Sequence, residues 1–322
     1  METNKKIAIL MSTYNGERFL NDQIKSIINQ TYSNWELYIR DDGSTDTTQQ
    51  IIKNYAANFP SIHFLNEGKV KNVGVSNSFM SLLRETDADF YMFADQDDFW
   101  KPRKIEKTLR AMISVQNQDQ PICVHTDLQI VDSSLQGNEL MNNNDIWHQF
   151  TQLMFGNCVT GCTVMLNQAL KKKINFKKVS LDQIYMHDWW IALIAAYFGE
   201  IVYVNEPTIL YRQHGDNVVG SMEKNTIFHL IHRIFNQKVD RENLLNVFRN
   251  ANLFEKMYGK EMTGKDKLYV EAYGSLIYRS SFWNNLATLI KFPPLRNHLK
   301  GKLFFSYLML QDNKEIRKLA KL

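Results

Sequence analysis

Apolar and polar positions alternate along the first third of this chain in a strand-then-helix rhythm. Residues 7–11 are a short continuous apolar run, as in a strand buried on both faces. Phe19, Leu20, Ile24, Ile27 and Ile28 then recur at helical spacing and predict a helix over 19–29. Residues 35–39 predict a second strand, and Asp46 can cap a helix through Ile51, Ile52 and Tyr55 that ends near Pro60. A third strand at 62–65, a helix at 76–84, a fourth strand at 90–94 and a helix starting at Pro102 and running through Ile105, Leu109 and Met112 complete the series. Strands separated by helices in this way predict a mostly parallel sheet.

From Pro121 to Tyr211 the rhythm changes to strands and loops, with strands at 124–131, 162–166 and 201–204, an Asn- and Gln-rich loop at 136–149, and one strongly apolar helix at 188–198. After Gly220 only helical patterns remain: 227–235, 244–258, 267–290 and 295–310, broken by Gly259, Gly264 and Pro293-Pro294. The expected organisation is an α/β domain over 1–220 and a smaller all-helical domain over 221–322.

Composition alters this picture in one respect. The 322 residues, 44% hydrophobic and 22% charged, are ordinary for a globular protein. Cys123, Cys158 and Cys162 are too few for a disulfide framework and predict buried thiols in a reducing compartment. The net charge of +4, however, is unevenly spread. Residues 1–222 hold 20 Lys and Arg against 25 Asp and Glu, whereas 223–322 hold 18 against 9, so a body of −5 carries a tail of +9. Such a tail implies an anionic partner, a packing role or a dimer interface. No signal peptide or membrane-spanning run is evident, so the expected location is cytoplasmic, peripheral on the inner face of the plasma membrane at most. An acidic body without a recognised module argues against nucleic-acid binding.

Candidate chemistry gathers where predicted strands end. Arg40-Asp41-Asp42-Gly43-Ser44 follows the second strand and Asp95-Gln96-Asp97-Asp98 the fourth, where open α/β sheets bind ligands. Asp42 can accept a ribose hydroxyl or base N–H, or the cluster can simply cap a helix. Three carboxylates within four residues repel one another unless a cation or solvent offsets them, and hard divalent cations prefer such oxygens. His187-Asp188-Trp189-Trp190 opens the apolar helix: Asp188 is either a dipole-stabilised cap or a base, and the tryptophans either core anchors or the wall of a sugar-sized pocket. His214, after Tyr211-Arg212-Gln213, is a candidate metal or phosphate ligand.

Taken together with Tyr14-Asn15-Gly16, Asn72-Val73-Gly74 and Gly161-Cys162-Thr163, these motifs resemble family 2 glycosyltransferases over roughly residues 5–220. The Asp-Gln-Asp-Asp and His-Asp-Trp-Trp forms are most similar to bacterial rhamnosyltransferases of cell-wall and O-antigen polysaccharide assembly. The resemblance implies a Rossmann-like GT-A fold and inverting, metal-dependent transfer from a nucleotide-sugar. Ser12, Tyr14 and Asp42 would then hold base and ribose, and Asp95 the ribose. Asp97 and His214 would bind Mn²⁺ or Mg²⁺, Asp188 would be the base, and Trp189 and Trp190 would wall the acceptor site. Asp98 would serve local structure. The donor would be dTDP-β-L-rhamnose or a UDP-hexose, and the acceptor a saccharide or a polyprenyl-diphosphate-linked sugar. A nucleotidyltransferase would need a Gly-rich, Lys- or Arg-bearing loop that Ser12-Thr13-Tyr14-Asn15-Gly16 lacks, and a non-catalytic glycan-binding module would tolerate the loss of Asp97 or Asp188.

Overall fold

The computed structural model describes residues 4–213, 238–296 and 299–321. His214, the helix expected at 227–235 and the domain boundary expected near residue 220 lie outside the described residues. The chain divides into two compact units, Met1–Ile146 with Val159–Gly220, and Trp147–Cys158 with Ser221–Leu322.

The first unit is built on β1 (Ile7–Thr13), β2 (Trp35–Asp41), β3 (Ile62–Phe64), β4 (Phe90–Ala94), β5 (Phe99–Trp100), β6 (Ile122–Val131), β7 (Glu139–Leu140), β8 (Met165–Asn167) and β9 (Glu200–Arg212). They form one sheet in the order β3-β2-β1-β4-β8-β6-β9-β5, with β7 on β6. β1, β2, β3 and β4 pair in parallel, as do β6 and β9, while β8 runs antiparallel to β4 and β6. Most of the paired residues are thus parallel, and the architecture is the mixed α/β sheet followed by helices that the pattern predicts. The helices α1 (Leu20–Ile28), α2 (Thr48–Asn58), α3 (Val75–Glu85) and α4 (Lys104–Ser114) connect the early strands. The sheet is central because β4 and the first five residues of β1 are apolar: every residue of β4, and Ile7, Ala8, Ile9, Leu10 and Met11 of β1, are buried.

Several elements differ from the sequence pattern for identifiable reasons. The strand expected at 162–166 begins with a 3₁₀ turn, Gly161–Thr163, and becomes β8 only at Met165. The strand expected at 201–204 extends to Arg212, because its far end bridges β6 and β5. Within the expected 136–149 loop, β7 pairs with β6, and the Asp127 carboxylate accepts the amides of Asn142 (3.1 Å) and Asn143 (3.1 Å).

The second unit, among its described residues, is helical: Phe150–Leu153, Lys238–Tyr258, Gly264–Gly274, Leu276–Arg279, Phe282–Lys291, Leu299–Gln311 and Asn313–Lys318. The single helix expected at 267–290 is therefore three. Its last break falls at Ser280-Ser281, where the Ser281 hydroxyl accepts the Asn284 amide (3.2 Å) and starts a new helix.

Candidate active site

The site lies at the C-terminal ends of β1, β2 and β4, where the backbone stops pairing and its side chains are free to bind something else. At the end of β2 the two aspartates part company. Asp41 is buried and saturated: its carboxylate accepts from the Thr13 hydroxyl (2.9 Å), the Gly43 amide (3.1 Å), the Ser44 amide (2.9 Å) and the Ser44 hydroxyl (2.5 Å). It shapes the turn. Gly43 sits there at φ +97°, where a side chain would be strained. Asp42 reaches the opposite way, accepting from Arg40 (2.7 Å) and from the amides of Val73 (2.8 Å) and Gly74 (2.9 Å). Arg40 also donates to the Ser78 hydroxyl (3.2 Å), which receives the Ser12 hydroxyl (2.7 Å). Ser12 and Asp42 thus belong to one polar chain joining β1, β2 and α3.

Asp42→Ala is expected to strand the largely buried Arg40 and release the 73–74 amides, lowering stability by about 3 kcal/mol. Urea denaturation measures this, and an unchanged midpoint would show that the turn holds without the carboxylate.

The loop after β1 is fixed from two sides. Gln96 exchanges hydrogen bonds with the Tyr14 backbone, accepting from its amide (2.8 Å) and donating to its carbonyl (2.9 Å). Asn15 accepts the Thr45 amide (2.9 Å), and its own amide donates to the Ser44 hydroxyl (2.9 Å). The Tyr14 ring, 51% exposed, stands on this tethered loop facing solvent, available to a ligand.

Beyond β4, the charges of Asp97 and Asp188 bear on Asp95, and those of Asp95 and Asp97 bear on Asp98. The Asp95 carboxyl is pushed up to about 7 by burial, then by the charges of Asp97 and Asp188. The structure therefore brings together residues more than ninety positions apart in the chain. Asp98 is completely buried, and its carboxyl is raised well above the usual range by burial and by Asp95 and Asp97. Apart from the Cys162 thiol, neither of its oxygens has a hydrogen-bond partner among the described residues. Beneath it Lys104, also fully buried, is lowered to about 8 by burial, an effect that the charges of Cys162 and Asp98 oppose.

Asp188 lies in the first turn of α5 (His187–Phe198), and burial raises its carboxyl to about 6 against the pull of the Trp189 and Gly161 amides. Those amides lie 2.6 Å and 3.2 Å from its two oxygens and fix its orientation. Gly161 is required here, since a Cβ would lie 2.8 Å from His187 Nε2. His187 itself is neutral, pushed down to about 3 by burial and stacked on Phe79 with ring centres 4.4 Å apart.

Not every expected residue keeps the position its motif suggests. Trp190 has no exposed surface and Trp189 only 5%, because α5 is packed on both sides; the expected acceptor wall has no accessible face at Trp190. Asp97 contributes its charge to the cluster, but the ligand atoms that lie within 4.8 Å of one another belong to Asp95, Asp98 and Cys162. Asp98, assigned by its motif to local structure, is therefore part of the acidic cluster. Two participants were given no role by the sequence: Cys162 lies within the Gly161-Cys162-Thr163 motif but reads there as a buried thiol, and Lys104 carries no signal until the fold closes over it. Arg212 gained a role as well, donating to the Asp97 carbonyl (3.0 Å) and to Asp22 (2.8 Å) while lying over Phe19, which steadies the acidic turn.

Fold and site together define an α/β enzyme whose acidic centre lies at the ends of its parallel strands. The family model for glycosyl transferase family 2 matches residues 8–171. The dTDP-rhamnosyl transferase RfbG of Shigella flexneri is 31% identical over 219 residues, which cover 66% of this chain and 74% of that protein. An Escherichia coli protein, UDP-Glc:alpha-D-GlcNAc-diphosphoundecaprenol beta-1,3-glucosyltransferase WfgD, is 27% identical over 197 residues, covering 58% of this chain and 69% of its own. Among solved structures, Staphylococcus aureus TarS 1–349 in complex with UDP-GlcNAc aligns with a TM-score of 0.55 and 13% identity, over 98% of this chain and 91% of that one. The chain belongs to glycosyl transferase family 2, a glycosyltransferase with a GT-A fold.

Proposed function

We propose that this enzyme transfers L-rhamnose from dTDP-β-L-rhamnose, with inversion, to a saccharide carried on a polyprenyl diphosphate in bacterial cell-surface polysaccharide synthesis. The observation that supports the reading is that the charges of Asp97 and Asp188 both bear on Asp95, so that the proposed base lies near the acidic turn proposed to bind the donor. The name of the RfbG relative supports rhamnose, and the name of WfgD supports a lipid-linked acceptor. WfgD also supports the second reading, a UDP-hexose donor in the same site.

In the reaction, Asp188 takes the proton of the acceptor hydroxyl as its oxygen bonds to the anomeric carbon. The bond from that carbon to the nucleoside diphosphate breaks, its electrons leave with the diphosphate, and attack from the opposite face inverts the configuration. A carboxyl near 6 suits this task, being mostly ionised at pH 7 yet more basic than an exposed aspartate. The Trp189 and Gly161 amides hold it in one orientation. Ser12, Tyr14 and Asp42 line the nucleoside end, and Asp95 receives the ribose.

The acidic turn fits a divalent cation, since Asp98 buries two oxygens with only a thiol for a partner among the described residues, and Asp95 is raised by burial and by neighbouring charge. Asp97, with Asp95 beside it, would hold Mn²⁺ or Mg²⁺, and the ion would supply positive charge against the diphosphate as it departs. His214 is retained as a further ligand of this proposal.

A donor panel tests the reading. Release of nucleoside diphosphate is measured with dTDP-rhamnose, UDP-glucose, UDP-galactose, UDP-GlcNAc and GDP-mannose, each with a lipid-linked acceptor, with Mn²⁺ and with EDTA. Metal-dependent turnover of dTDP-rhamnose is expected. Turnover of a UDP-hexose alone selects the second reading, and silence with every donor refutes both.

A further inference from the structure

Two neighbouring helices of the second unit turn apolar side chains to water. In Phe282–Lys291 the buried residues are the polar Asn285 and Thr288. Trp283 is 74% exposed and Ile290 75%, so the helix is inside out for a core element. Leu299–Gln311 buries Phe305, Leu308 and Met309 yet exposes Leu299, Leu303 and Tyr307 along a single stripe at four-residue spacing, Leu299 by 69% and Leu303 by 63%. The helices pack on each other, and the inversion of the first has a cause: Asn285 donates to the Met309 carbonyl (2.6 Å), which draws its polar face inward.

Charge identifies what covers this face. From Ala272 to Gln311 the chain has Arg279, Lys291, Arg296, Lys300 and Lys302 and no Asp or Glu. Arg296 is engaged with the Phe155 carbonyl (3.0 Å), whereas Lys291 and Lys300 are exposed at the helix ends and Lys302 is half-buried beside Leu303. Exposed Trp, Tyr and aliphatic side chains among lysines, without carboxylates, are the composition of a segment lying in a headgroup layer. A second copy fits poorly, since a two-fold pairing of this face would set lysines against lysines, and residues 272–311 supply no carboxylate to lie between them. Among the described residues no helix is long and apolar enough to cross a membrane.

We propose that this face docks on an anionic phospholipid surface, with Trp283, Ile290, Leu299 and Leu303 entering the interface and Lys291, Lys300 and Lys302 meeting lipid phosphates. The docking gives the transfer reaction a location and does not depend on it, because vesicle binding is measured without donor or acceptor.

The experiment is co-sedimentation of the full chain with vesicles of phosphatidylcholine alone or mixed with phosphatidylglycerol. Binding to the mixed vesicles, weakened by added salt, is expected. The triple variant Lys291→Gln, Lys300→Gln, Lys302→Gln should lose on the order of 100-fold in affinity, about fivefold for each lysine near an anionic surface. The pair Trp283→Gln, Leu303→Gln should also lose binding, while both variants melt normally and retain transfer to a soluble saccharide. Equal binding to neutral and anionic vesicles, or no loss in the lysine variant, overturns the proposal. So does the absence of wild-type binding, and an apolar variant that merely turns a dimer into a monomer assigns the face to a second copy.

Discussion

Asp188→Asn is expected to bind the donor as the wild type does and to lose transfer by roughly three to four orders of magnitude, the upper range for a positioned general base. The substitution keeps the shape of the side chain but removes the only proton acceptor that the proposed reaction uses. Because Asp188 titrates near 6, wild-type turnover should fall as pH drops through that value, whereas the residual activity of the variant should not follow the same limb.

Stability supplies a second readout of the same group. A buried carboxyl raised from 3.8 to about 6 binds its proton more tightly folded than unfolded. Its ionisation therefore opposes folding, by on the order of 3 kcal/mol above pH 6, and the opposition disappears as pH falls from about 6 to about 4. In Asp188→Asn that contribution to the pH dependence should be missing, although the amide nitrogen then faces an N–H of Gly161 or Trp189 and offsets part of the gain at neutral pH. Single-turnover rates and urea denaturation at pH 4.5 and 7 check both statements. Transfer at the wild-type rate would remove Asp188 from the mechanism.

Asp97→Ala is expected to weaken metal-dependent donor binding by roughly two to three orders of magnitude, the several kcal/mol associated with a cation on a diphosphate. Titration calorimetry with donor and Mn²⁺, against donor with EDTA, reads the loss directly. The variant also separates two placements of the ion. If Asp97 holds it, metal dependence vanishes; if Asp95, Asp98 and Cys162 hold it, metal dependence survives in Asp97→Ala and is lost in Asp98→Asn. Removing the Asp97 charge should in addition lower the Asp95 carboxyl, whose elevation depends partly on it.

Much of the catalytic unit can be read from local pattern because its central strands are distinctive. β1 and β4 are buried apolar runs, β2 alternates buried and half-buried positions, and the ends of β2 and β4 are where Asp42 and Asp95 emerge. The β9 strand was foreshortened in the sequence because Asn205, Glu206 and Pro207 interrupt the apolar run; pairing with β6 on one side and β5 on the other carries the backbone past them, with register shifts near Asp127. The pattern at 267–290 reads as one helix for the converse reason, since periodicity continues through Ser280-Ser281 while a local serine cap starts a new axis.

The sequence by itself determined the alternating α/β core, the positions at which carboxylates leave it, and the excess of positive charge in the tail, since these depend on periodicity, turn chemistry and composition close along the chain. Only the tertiary structure decided that Asp188 lies within electrostatic reach of Asp95. It also decided that Cys162 and Lys104 form a buried floor under Asp98, that Trp190 is core, and that the apolar stripes of the last helices face outward. Those outcomes depend on desolvation and on charges brought together across the fold. The field at a carboxylate is set by its neighbours in space, which a linear pattern does not contain.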